Sequence, residues 1–70
     1  MIDEINSQIL NILQEDARTS NAEIARRLGM APSAILERIR KLEASGVIQG
    51  YTARVNPRAL GLGLTAFILV

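Results

Sequence analysis

Between Ala25 and Glu43 the chain reads ARRLGMAPSAILERIRKLE, two apolar patterns of helical period separated by Gly29, Met30, Ala31 and Pro32. So short a connection makes the second helix turn back against the first, which leaves a small helical bundle or a helix-turn-helix. The stop and the restart are both written in the residues. Gly29 suits the left-handed position that ends a helix, and Pro32 suits a first turn, where its missing amide costs nothing. Upstream, Ser20-Asn21-Ala22-Glu23 is an S-x-x-E capping box, in which serine and glutamate are expected to satisfy each other's orphan amides. Ile24, Ala25 and Leu28 give this helix its apolar stripe, but two turns are too short to stand without packing. Downstream, Ile35, Leu36, Ile39 and Leu42 form the buried stripe of a longer helix that Gly46 closes.

An earlier helix is needed to complete a core. Asp3 is an N-cap type, Glu4 suits the first turn, and Ile2, Ile5, Ile9, Leu10 and Leu13 share one side, with Ile12 at its edge. The polar run EDARTS, Glu15 to Ser20, ends that helix. After Gly46, the β-branched and alternating VIQGYTARV, Val47 to Val55, predicts a strand or a tight hairpin. NPRALGLG then reads as a loop, and LTAFILV, Leu64 to Val70, as a buried strand.

Seventy residues make one small domain, near the lower limit for an unaided core. Its apolar fraction is 49% but only Tyr51 and Phe67 are aromatic, so the core must be built from Ile, Leu, Val and Ala. With no cysteine and no histidine, disulfides and cysteine metal sites are excluded, and an acid/base site is not expected. No Gly-rich phosphate loop, nucleophile–base set or metal spacing is present, so neither enzyme nor cofactor is expected. Asp3 and Glu4 stand where a signal peptide would be basic, and the one continuous apolar run, Leu64 to Val70, is far too short to span a bilayer. A cytoplasmic protein without a membrane partner is the expectation.

Charge divides the chain unevenly. Residues 1–25 hold five acids against Arg18, a balance of −4, and residues 26–70 hold seven cations against Glu37 and Glu43, a balance of +5. A basic surface for a polyanion and a merely solvated face both fit that asymmetry. Helical geometry favours the first. Opposite Ile35 and Ile39 the third helix carries Ser33, Ala34, Glu37, Arg40 and Lys41, flanked by Arg38. Small residues at its start admit close entry into a major groove, and arginines further along reach guanine edges or phosphates. Ser20 and Asn21, at the amide end of the second helix, offer a phosphate site, and Arg54 on the following strand or wing can reach the adjacent backbone. Arg26 and Arg27 are assigned to the solvated helix end. Glu37 and Glu43 are also spaced as intrahelical partners of Lys41 and Arg40.

The pieces, in order, carry a resemblance. Asp3 with ILNILQEDAR (Ile9 to Arg18), AEIARRLG (Ala22 to Gly29), ERIRKLEASGVIQGYTA (Glu37 to Ala53), and NP and LG at Asn56, Pro57, Leu60 and Gly61 resemble the N-terminal region of the Lrp/AsnC family. Nearly the whole chain is covered. The resemblance implies a mainly α, three-helix winged helix-turn-helix, a short β hinge, and then a ligand-binding α/β domain of βαββαβ type. That domain, in the family, binds amino acids or related molecules and drives assembly into dimers and octamers. One departure is Ala31, where the family often has a capping serine, so the third helix is expected to fray slightly at its start, by about 1 kcal/mol.

The expected organisation is therefore a helix-turn-helix over residues 1–46, a β hinge or wing and linker over 47–63, and the first strand of the ligand domain over 64–70. On this expectation the 70 residues are a piece of a longer regulator, and LTAFILV is either a disordered tail or a strand added to a partner's strand. The functional expectation is sequence-specific binding of double-stranded DNA at a pseudo-palindromic operator by a homodimer or higher homo-oligomer. An amino-acid effector would act only through the absent domain. Two alternatives stand beside it. In one, Leu10, Ile12 and the apolar tail form a protein–protein surface. In the other, the chain is the N-terminal part of a siroheme decarboxylase-like protein, which resembles the family in layout.

Overall fold

The computed structural model describes residues 3–60. Four helices follow in order: α1 (Glu4–Glu15), α2 (Asn21–Leu28), α3 (Pro32–Ala44) and α4 (Pro57–Leu60). Ile2 and the LTAFILV strand expected over Leu64 to Val70 lie outside the described residues.

Each helix begins and ends for a reason legible in its residues. The Asp3 carboxylate accepts the Asn6 amide at 2.8 Å and starts α1. At the other end Asp16 makes the turn: its carboxylate accepts the Arg18 amide at 2.9 Å and its carbonyl accepts the Thr19 hydroxyl at 2.7 Å. Ser20 caps α2, its Oγ accepting the Glu23 amide at 3.1 Å. Only half of the capping box forms, however. The Glu23 carboxylate turns to Arg26 and Arg27 instead of the Ser20 amide, because two guanidiniums offer stronger, charge-assisted bonds. Gly29 ends α2 with φ 67°, and the Met30 amide closes back on the Ala25 carbonyl at 2.9 Å. As expected, Ala31 gives α3 no side-chain cap, and Pro32 opens it.

One core holds the three long helices. Ile9, Ile24 and Ile35 are fully buried, one from each, and Ala25 and Ile39 complete the cluster. Ile5, Ile12, Leu13, Leu28 and Met30 pack on its margin, as does Ile48 from beyond α3. Burying each such isoleucine contributes roughly 1.5–3 kcal/mol, which is where a chain of 70 residues without disulfides finds its stability. Leu42 is buried too, but Leu36, expected in the same stripe, is 36% exposed. It lies about 100° around the helix from Ile35, beyond the edge of the strip that α1 and α2 cover.

Two expectations beyond α3 are corrected. The strand or hairpin over Val47 to Val55 does not form; residues 49–56 are neither helix nor strand. Alternation gives a segment a face, but a strand exists only when a second strand takes up its amides and carbonyls, and none does so among the described residues. The segment is tied instead at two points. The Ile48 amide reaches the Leu42 carbonyl at 3.1 Å after Gly46 turns the chain at φ 83°, and the Tyr51 hydroxyl donates to Glu43 Oε2 at 2.9 Å. The expected loop at NPRALGLG contains, within its described residues, a helical turn, α4. Asn56 Oδ1 accepts the Arg58 amide at 2.9 Å with Pro57 in the first position, a start signal of the same kind as those of α1 and α3.

Candidate nucleic-acid interface

The outer face of α3 is open. Ser33, Glu37, Arg40 and Lys41 are exposed on the side away from Ile35, Ile39 and Leu42, and Ala34 is half-buried at the edge. Lys41 Nζ stands 3.2 Å from Glu37 Oε1, with the two side chains 76% and 68% exposed. So exposed a pair holds weakly, and both groups remain available to a ligand. Arg40 has no carboxylate partner among the described residues. The arrangement offers two cations and two short or acidic groups on one convex ridge, the shape that a major groove accepts.

Arg38 is placed elsewhere. Its Nη1 donates to both carboxylate oxygens of Asp3, at 3.2 and 2.9 Å, and to Asn6 Oδ1 at 3.1 Å. It ties the start of α1 to the middle of α3, on the side of α3 next to the exposed outer face. The Asn6 amide, first, and then Arg38 hold the Asp3 carboxyl below its usual range. Sequence reasoning missed this tie because the two residues are 35 positions apart; only the packing of α1 on α3 brings them together.

Ser20 is exposed and Asn21 half-buried at the amide end of α2. Ser20 Oγ is already committed as the cap, so its part in any phosphate site is to fix the helix end. Arg26 and Arg27 both hold Glu23, at 2.6 and 2.8 Å, and the bond from Arg26, then that from Arg27, lowers the glutamate's pKa. Arg54 is exposed on the segment after α3 and lines a groove with Arg18, Leu10 and Gln14 of the α1 side. The structure thus brings Ser33, Glu37, Arg40 and Lys41 together and leaves Arg54 apart from them. Tyr51, which sequence reasoning did not place, leans on α3 through Glu43; burial, then that bond, raises its phenol pKa. Leu10 lines the same groove, half-buried, whereas Ile12 packs on the core.

A capped two-turn helix, a glycine turn and a longer helix with a polar, cationic outer face define a helix-turn-helix domain. Comparison with known proteins says which one. The AsnC-type helix-turn-helix domain profile matches residues 2–43. The leucine-responsive regulatory protein of Escherichia coli K12 is 49% identical over 67 residues, 96% of this chain and 41% of that protein. Among solved structures, the leucine response regulatory protein LrpA of Mycobacterium tuberculosis aligns with TM-score 0.76 and 43% identity, over 86% of this chain and 41% of that one. A transcriptional regulator of Neisseria meningitidis, solved as a complex with L-methionine, aligns with TM-score 0.80 and 35% identity, over 90% of this chain and 41% of that one. The chain belongs to the Lrp/AsnC family of helix-turn-helix regulators. It spans about two-fifths of the length of the relatives it matches.

Proposed function

We propose that this chain is the DNA-binding part of a transcriptional regulator, with α3 as the reading helix. The observation that carries the reading is the outer face of α3, where Ser33, Glu37, Arg40 and Lys41 stand exposed in a family of regulators. Ser33 and Glu37, in the earlier turns, address base edges, with Ala34 allowing close approach. Arg40 and Lys41 rise toward the groove walls and take phosphates. The α2 end at Ser20 and Asn21 takes a further phosphate, and Arg54 reaches the adjacent backbone. Arg38 contributes by holding α3 against α1, and its guanidinium flanks the same face.

The division proposed is a reading unit over residues 1–46 and a connecting segment over 47–63, with residues 64–70 beginning the part that the longer relatives share. Assembly as a homodimer on a pseudo-palindromic site, action in the cytoplasm, and an amino-acid effector bound outside the reading unit belong to the same proposal. The L-methionine complex of the N. meningitidis relative supports an effector of that class. The named relatives are regulators, which supports a non-catalytic role. No helix among the described residues is long and apolar enough to cross a membrane.

The test is a selection of duplexes from a random pool by the 70-residue chain. Enrichment of one shared motif, with a second half-site where the chain dimerises, is expected. A pool that stays random after retention at moderate salt refutes the reading.

A further inference from the structure

Resting on the DNA-binding reading, we infer that Leu36 is a specificity-determining residue of α3 that recognises the C5-methyl group of thymine. Leu36 is 36% exposed, while its helical neighbours in the stripe, Ile35 and Ile39, are 0% and 7% exposed. It is the one large apolar side chain of α3 that the core leaves open among the described residues. Its place on the helix gives the exposure a direction. Leu36 stands three residues after Ser33 and four before Arg40, so it neighbours both and falls between them along the axis, where the outer face of α3 borders the buried stripe. Both of those are exposed residues of the proposed reading face.

A leucine between a hydroxyl and a guanidinium cannot hydrogen-bond a base. It excludes water from an apolar group placed beside it. In the major groove the base edges present one such group, the thymine methyl, and the other edges are donors and acceptors. Arg40 and Lys41 supply the charge complementarity that brings this strip to DNA and to no apolar partner. Leu36 is flanked by an exposed cation without a carboxylate partner among the described residues.

The probe is the duplex enriched by the selection above, remade as a series in which each thymine in turn is replaced by deoxyuridine. That change removes a methyl and leaves every hydrogen bond in place. With the unaltered chain, at least one replacement is expected to weaken binding about fourfold, the factor for burying one methyl-sized group. In Leu36→Ala the same replacement is expected to have less than a twofold effect, and in Leu36→Met the fourfold effect returns. Circular dichroism on both variants separates a reading defect from unfolding. If Leu36→Ala binds every duplex of the series with the same deoxyuridine penalty as the unaltered chain, the assignment of Leu36 is overturned while the reading helix stands. If the unaltered chain shows no preference for the selected duplex over a shuffled one, both fall.

Discussion

The body of α1 to α3 and the segment from Gln49 to Leu60 are made of comparable residues and behave differently. The body buries three isoleucines completely and starts α1 and α2 with the named caps of Asp3 and Ser20. The segment carries Tyr51 and Val55 at 49% and 58% exposure and forms four helical residues at its end. Both stretches have an apolar pattern. The difference is a partner: the stripes of α1, α2 and α3 meet each other, whereas the alternating face of Val47 to Val55 meets one carboxylate and the margin of the core. A helix satisfies its own backbone and needs only a surface to lie on, but a strand needs a second strand before it exists.

The largest expected effect breaks the comparison at its strong side. Ile35→Ala should destabilise the fold by about 2–5 kcal/mol, as a cavity in a fully buried site does. Val55→Ala, in the segment, should stay within about 0.5 kcal/mol, as substitutions at open surface positions do. Thermal unfolding followed by circular dichroism reads both. Equal costs for the two would mean that the segment is packed as firmly as the body.

The two ends of the helix-turn-helix sharpen the same contrast. Ser20→Ala should cost about 1 kcal/mol, since the Glu23 amide loses its acceptor. The variant should also bind DNA less tightly because the end of α2 loosens. Ala31→Ser should do the reverse at α3, adding up to about 1 kcal/mol by supplying the cap that is missing there. Urea titration of each variant against the unaltered chain gives the answer. An unchanged midpoint in both would mean that neither helix end limits stability.

The smallest effect is electrostatic. Asp3 has a folded pKa below its unfolded one, so its contribution is present above the ordinary carboxylate range and is lost as pH falls through the lower folded value. Stability measured from neutral pH down into acid should therefore decline below about pH 4, and the Arg38→Ala variant should show a shallower decline over that interval. A decline of the same depth in the variant would detach Arg38 from Asp3 in solution.

How much of this was legible beforehand follows from how local each signal is. Asp3, Ser20, Gly29 and Pro32 act within four residues of themselves, and each stands where the sequence puts it. So do the inner residues of α3, apart from Leu36, whose exposure depends on how wide a strip the other helices cover. The tie from Arg38 to Asp3 and the hold of Tyr51 on Glu43 were hidden, since neither pairing can be known until the helices are packed. Glu23 was misread for a subtler reason: a capping box and a pair of arginines compete for one carboxylate, and the charged donors win. The wheel of α3 put Ser33, Ala34, Glu37, Arg40 and Lys41 on its outer face, and all but the half-buried Ala34 are exposed in the structure. It could not show that Arg38 turns toward α1.

The reading helix itself is tested most directly by a salt series. Binding of the unaltered chain, Arg40→Ala and Glu37→Ala is measured on the selected duplex and on a shuffled one at several salt concentrations. Arg40→Ala should weaken binding to both duplexes and lower the salt slope by about one unit, as loss of one phosphate contact does. Glu37→Ala should keep the slope and change the ratio between the two duplexes, by roughly 1–3 kcal/mol for each base pair disturbed. If both variants match the unaltered chain in slope and in ratio, the outer face of α3 meets only water and the central claim is wrong.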